Sequence, residues 1–325
     1  MKKNILFFAS MLLLFSCKKD DNKPSGSSQD SNKLLYVIED NKFNFSNFNT
    51  ALTVTNFNTT LLDNGPFTVL IPDNNAFQKA GYNTDQDVAK EKGAVLVNMV
   101  KYHTLKGLWQ LDKLPFRFNQ PVVTSSGAQL FITHWVHNQD TVITINGTRV
   151  TAQNLPASNG LIQVINTVLN PLTQDKLSDA IAAEPSLTYF NAALQQAGLK
   201  DLLKGDGPLT VFAPNNTAFI AAGFLTTDSI AQTSPAVLRN MLQFHMLANR
   251  RFVYDYVLST DNSNQSLQNM LNSSATTVNL QNSGNDYTIT IQGAGNLQPA
   301  QVVKPNVLTN NGVLHIIDQV LAENF

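Results

Sequence analysis

"GPFTVLIPDNNAF" at Gly65–Phe77 is written again, with few changes, as "GPLTVFAPNNTAF" at Gly207–Phe219. In each stretch a short β-rich run is stopped by a proline, Pro72 or Pro214, which has no N–H to give to a ladder. Asp73 and Asn215 follow, residue types whose side chains cap a helix by accepting from its first unpaired N–H groups. Phe77 and Phe219 fall four residues after the cap, placed to pack back on Pro72 and Pro214 as a hydrophobic staple would. The stretch predicts a strand-to-helix corner, made twice.

The duplication extends well beyond the corner. A shift of 142 residues lays Phe48-Asn49 on Phe190-Asn191, Leu61 on Leu203, Asn98-Met99 on Asn240-Met241 and His103 on His245, with no gap from Phe48 to Leu105. "NGLIQVINTVL" (Asn159–Leu169) matches "NGVLHIIDQVL" (Asn311–Leu321) at a shift of 152, so the second copy holds ten more residues, expected as longer loops. Within a copy, "AVLVNMVKYHTL" and "AVLRNMLQFHML" read as a buried helix, and "DTVITING" and "DYTITIQG" as hairpin strands. The final Asn-Gly and its alternating apolar run read as a turn and a closing strand. "NPLTQ" at Asn170–Gln174 interrupts the pattern and marks the boundary, giving domains at 33–171 and 172–325.

Charged residues make up 14% of the 325-residue chain, and 22 basic against 23 acidic side chains leave a net charge of -1. That balance lacks the basic stripe of a nucleic-acid binder. Asn, Gln, Ser and Thr must form much of the surface, a neutral skin suited to hydrogen-bonded contact with protein or glycan partners.

At the N-terminus, Lys2 and Lys3 precede an apolar run, Ile5–Phe15, too short for the roughly 20 residues that cross a bilayer. It reads as a signal peptide over 1–16. Leu14-Phe15-Ser16-Cys17 resembles a bacterial lipoprotein cleavage box, which implies that Cys17, the single cysteine, becomes the acylated first residue. Residues 17–32, rich in Pro, Gly, Ser and Asn, read as a tether that reaches about 20 Å. Lys19 followed by Asp20 and Asp21 resembles the surface-export signal of Bacteroidota lipoproteins, and an ordinary solvated charge run is the other reading. The anchor implies the outer membrane, at the cell surface or on its periplasmic face.

Taken together, the "TVLIPDNNAF" corner, the Tyr102-His103 or Phe244-His245 pair and the terminal Asn-Gly run resemble fasciclin (FAS1) domains, across both copies nearly end to end. The resemblance implies an α+β fold, two domains each a β-sandwich wedge packed with several helices, in a secreted or membrane-anchored protein of adhesion or ligand binding. In animal relatives the Tyr-His motif is linked to adhesion-receptor contact, which makes Tyr102, His103, Phe244 and His245 candidate contact residues. The residues themselves favour a different role, a histidine on an apolar helix that bonds a backbone carbonyl and closes the core.

The family's terminal motif is kept in the second copy as Asn311, Gly312, His315 and Asp318; the first has Asn159 and Gly160 but Gln163 and Asn166. Neutral amides keep the hydrogen bonding and lose the titration, so the strand is expected to be structural. His134 and His137 have a helical metal-ligand spacing, yet "QLFITHWVH" is β-rich and alternation sends them to opposite faces. No metal site and no cofactor are expected. Trp109 and Trp135 have faces suited to stack on sugar rings, or belong to the core. The sequence holds no Gly-x-Ser-x-Gly elbow, phosphate-cradling glycine loop or His-Glu-x-x-His motif. The expected protein is therefore a non-enzymatic, lipid-anchored binder of a matrix, glycan or cell-surface partner. The alternatives are a glycan-capturing accessory of an outer-membrane uptake system and a hydrolase using His245 or His315.

Overall fold

The computed structural model describes residues 32–260, 263–283 and 286–324; Cys17, the signal segment and the tether as far as residue 31 lie outside the described residues. The first domain runs α1 (Leu34–Asp40), α2 (Lys42–Val54), β1 (Phe67–Pro72), α3 (Asn74–Lys79), α4 (Asp85–Ala89), α5 (Gly93–Tyr102), β2 (Thr104–Lys106), β3 (Arg117–Val123), β4 (Gln129–His137), β5 (Asp140–Ile145), β6 (Thr148–Ala157) and β7 (Gly160–Ile165). The second repeats the order as α6 (Leu177–Ala183), α7 (Thr188–Gln196), β8 (Leu209–Pro214), α8 (Asn216–Ala221), α9 (Thr227–Ala231), α10 (Pro235–Gln243) and β9 (Met246–Ala248). It continues through α11 (Val253–Ser259), β10 (Gln265–Asn269), β11 (Ala275–Ser283), β12 (Asp286–Gly293), β13 (Ala300–Thr309) and β14 (Gly312–Ile317).

Each domain builds one seven-stranded sheet, β2-β1-β7-β6-β5-β4-β3 in the first and β9-β8-β14-β13-β12-β11-β10 in the second. The corner strand and the closing strand are parallel neighbours, β1 with β7 and β8 with β14, and the other neighbouring pairs are antiparallel. β6 slips register twice along β7 and meets β5 only through Thr148 and Arg149, so the sheet curls over on itself into a wedge. β1 alternates accordingly. Val69 and Ile71 face a core shared with Phe48, Leu52, Phe77 and Leu96 of the helices, while Leu70 faces a second core with Tyr102, Ile132, Ile143 and Ile165 inside the curl. The second domain has the same two cores, around Phe190 and Phe219 and around Phe212 and Ile291.

At the corner, Asp73 Oδ1 accepts from Ala76 N at 2.7 Å and Asn215 Oδ1 from Ala218 N at 2.8 Å. The rings of Phe77 and Phe219 sit in the helix-side cores, Phe77 edge-on to Tyr82 at 6.0 Å.

Four local expectations are corrected. The "AVLVNMVKYHTL" helix stops at Tyr102, because Thr104–Lys106 finds a better partner in the open edge of β1, and α10 gives way to β9 likewise. The closing strands do not alternate: all six residues of β7 and of β14 are buried, since they run between two strands with a core on each face. The turn before them is Ser158-Asn159 or Asn310-Asn311, and the glycine is already strand. A Cβ on Gly160 would stand 2.2 Å from Phe67 O, and one on Gly312 2.2 Å from Leu209 O, so backbone contact between parallel strands demands glycine there. Finally, the extra length of the second copy is only partly loop. α11 replaces a single turn of 3-10 helix, Leu111–Lys113.

Candidate functional site

Asn159 and Asn311 tie each domain together. Asn159 Oδ1 accepts from Leu34 N at 2.8 Å and its Nδ2 donates to Leu61 O and Asp63 O at 2.8 and 2.7 Å. Asn311 makes the same three bonds to Leu177 N, Leu203 O and Gly205 O, each 2.8 Å. One buried amide thus satisfies backbone groups from two distant segments that have no ladder partner.

The histidines are handled in the same way. His103 and His245 are fully buried; Nδ1 lies 2.8 Å from Met99 O or Met241 O, and Nε2 accepts from Leu169 N at 3.0 Å or Leu321 N at 2.9 Å. Burial pushes both imidazoles down to about 4, so they stay neutral near pH 7. Tyr102 is buried beside His103, donates to Gln129 O and accepts from Asn146 Nδ2, and burial raises its phenol to about 12. Phe244 fills the matching volume without the hydroxyl. None of the four offers side-chain surface to a partner while the domain is folded.

On the closing strand, His315 Nδ1 accepts from Asn306 N at 3.2 Å and Nε2 donates to Arg251 O at 2.9 Å, with the ring stacked on Phe212. It too is buried and held down to about 4. Gln163 takes the equivalent pair: Oε1 accepts from Asn154 N at 2.9 Å and Nε2 donates to Trp109 O at 3.0 Å. Asp318 faces away from His315 and accepts from Gln301 N at 2.7 Å. Asn166, its counterpart, keeps a buried Oδ1 that meets no donor among the described residues.

The tryptophans are half-buried. Trp109 donates from Nε1 to Lys106 O at 2.9 Å and packs on the curl core; Trp135 lies on Phe118, ring centroids 4.7 Å apart. His134 is buried with Nδ1 2.6 Å from Leu114 O, whereas His137 touches Asn138 in the hairpin. Among the described residues no three His, Cys, Asp or Glu side chains gather as a metal site.

Sequence reading missed the joint between the domains. On β4 the row Phe131, Thr133, Trp135 points away from the curl core, and the first two meet the second domain. Arg250 lays its guanidinium 3.5 Å over the Phe131 ring, and Phe131 shares an apolar cluster with Phe252 and Val313. Asp255 of α11 is fully buried there. Its Oδ2 accepts from Asn119 Nδ2 at 2.9 Å and Phe252 N at 2.8 Å, and its Oδ1 from Thr133 Oγ1 at 3.1 Å. Arg250 donates to Thr309 O and Asn310 O, and burial lowers its guanidinium to about 10, which leaves it charged at neutral pH. Burial raises the Asp255 carboxyl above the usual carboxylate range, a rise that these donors and Arg251 oppose only in part. No motif flags these residues; the only hint is that Asp255 lies where the copies stop aligning.

These features define a tandem of two curled-sheet domains locked through one buried polar joint. The chain belongs to the fasciclin domain family, which it matches over residues 43–171 and 185–323. It is similar to transforming growth factor-beta-induced protein ig-h3 of Sus scrofa, 27% identical over 79% of this chain and 35% of that protein, and to periostin of Homo sapiens, 27% identical over 79% and 28%. The chain therefore spans about a third of the length of these curated relatives. A solved FAS1 domain pair from the insect cell adhesion molecule fasciclin I aligns over 89% of this chain and 96% of its own, with a TM-score of 0.42 and 18% identity.

Proposed function

We propose that this protein is a non-enzymatic, extracytoplasmic ligand-binding or adhesion protein, lipid-anchored through Cys17, that presents two fasciclin domains as a single unit. The observation that carries the reading is the use made of the histidines. His103, His245 and His315 have both ring nitrogens engaged by backbone groups, and an amide does the work of His315 in the first domain. A general base needs an accessible lone pair near its substrate, so the hydrolase reading loses its carriers. The chain is a fasciclin-family member, and a matrix, glycan or cell-surface partner fits its neutral polar surface. The membrane attachment rests on the N-terminal sequence, and no described helix is long and apolar enough to cross a bilayer.

Labelling cells with palmitate and shaving them with protease tests the placement. The expected result is a labelled protein whose label disappears in Cys17→Ala and whose domains are lost from intact cells on shaving. Label that survives the substitution would overturn the anchor.

A further inference from the structure

Beside the buried joint, two adjoining clefts run between the domains, of about 210 and about 540 Å³, and both are lined by Thr148, Thr167 and Asn306. The larger alone falls within the roughly 300–1,000 Å³ usual for small-ligand sites. Their walls mix amides and hydroxyls from both domains, the groups that bond to sugar hydroxyls, with aliphatic side chains such as Val168, Leu169 and Val307 that suit the C–H face of a sugar. At the narrow end Tyr254 and Tyr287 stand at right angles, ring centroids 5.7 Å apart, and offer aromatic surface to the C–H face of a pyranose. Arg149 lines the same end beside Tyr254, and its guanidinium brings five donors and a positive charge to it. Asn166 lines the same end, with the buried Oδ1 that meets no donor among the described residues. A buried acceptor without a donor calls for a partner that the protein itself does not supply, an ordered water or, in this cleft, a ligand hydroxyl that reaches it. In the second domain the matching Asp318 is already used by Gln301, so this opening is particular to the joint.

We propose that this interdomain groove binds an oligosaccharide, with a carboxylate- or sulfate-bearing sugar at the Arg149 end, Tyr287 beneath a sugar ring and Asn166 accepting from a hydroxyl. The proposal rests on the ligand-binding reading above and moves the glycan contact away from Trp109 and Trp135.

The test is binding of the full chain to neutral, uronate-containing and sulfated glycans, each offered as soluble hexasaccharide and as immobilised polymer. Acidic glycans should bind, and Arg149→Gln, Tyr287→Ala and a groove-blocking Thr167→Trp should each weaken binding tenfold or more with unchanged thermal transitions. Trp109→Ala and Trp135→Ala should stay within twofold of wild type. Binding of hexasaccharide and polymer alike assigns the groove to free fragments as well as matrix, and binding of polymer alone assigns it to matrix; both uphold it. Acidic-glycan binding that survives all three groove variants, or falls only with the tryptophans, would overturn the groove. A chain that adheres to cells yet binds no glycan would overturn the glycan class and leave the adhesion reading standing.

Discussion

Gln163 in the first domain and His315 in the second hold the same two backbone groups, an N–H from the facing strand and a carbonyl from the loop before the curl. A few residues further along, Asn166 and Asp318 part company: the carboxylate is bonded within its own domain and the amide oxygen is not. The first pair shows that the duplicated scaffold conserves a hydrogen-bond geometry rather than a residue type. The second shows that the copies diverge at a position that lines the cleft between the domains only in the first. α11, Asp255 and Arg250 have no equivalents in the first domain, and all lie at the joint.

The comparison is sharpened most by its shared element. Asn311→Ala and Asn159→Ala each strand three backbone groups, at about 1–3 kcal/mol per unsatisfied group. Each should destabilise its own domain by about 4 kcal/mol in denaturant unfolding, and equal losses are expected because the bonds are the same. At the joint, Asp255→Ala leaves Asn119, Thr133 and Arg250 uncompensated, and removing one partner of a buried charge network costs about 3–5 kcal/mol. A loss near 3 kcal/mol is expected from chemical denaturation, with Asp255→Asn intermediate.

Smaller effects separate geometry from titration. His315→Gln should cost under about 1 kcal/mol, because Gln163 shows that an amide fits, whereas His315→Leu should cost about 2 kcal/mol by stranding Asn306 N and Arg251 O. Equal losses for the two would break the equivalence. The three fully buried histidines, His103, His245 and His315, also set a pH dependence. Their folded values near 4 lie below the ordinary 6.5, so the unfolded chain takes up protons that the folded one refuses. The stability they contribute is complete above pH 6.5 and is lost as pH falls toward 4, at up to about 1.4 kcal/mol per pH unit for each histidine. His315→Gln should remove about one third of that slope in stability measured against pH.

The duplicated fold is legible in the sequence because its determinants are local and repeated. Proline, cap and phenylalanine lie within six residues of one another, and the turn that ends at Asn159 or Asn311 sits beside its strand. Even so, the reason for Gly160 lies in Phe67, on a parallel strand that no periodicity announces. The joint is illegible for the same reason at greater range: Asn119 meets Asp255 across 136 residues, and neither belongs to a motif. Trp109 and Trp135 attract attention by type, yet the groove is built of ordinary Thr, Asn, Tyr and aliphatic side chains that only the domain pairing brings together.

Whether the two domains act as one unit is tested most directly by scanning calorimetry of the full chain and of Asp255→Ala. The buried joint predicts a single cooperative transition for the wild type that splits into two when Asp255 is removed. Two independent transitions already present in the wild type, unchanged by the substitution, would contradict it.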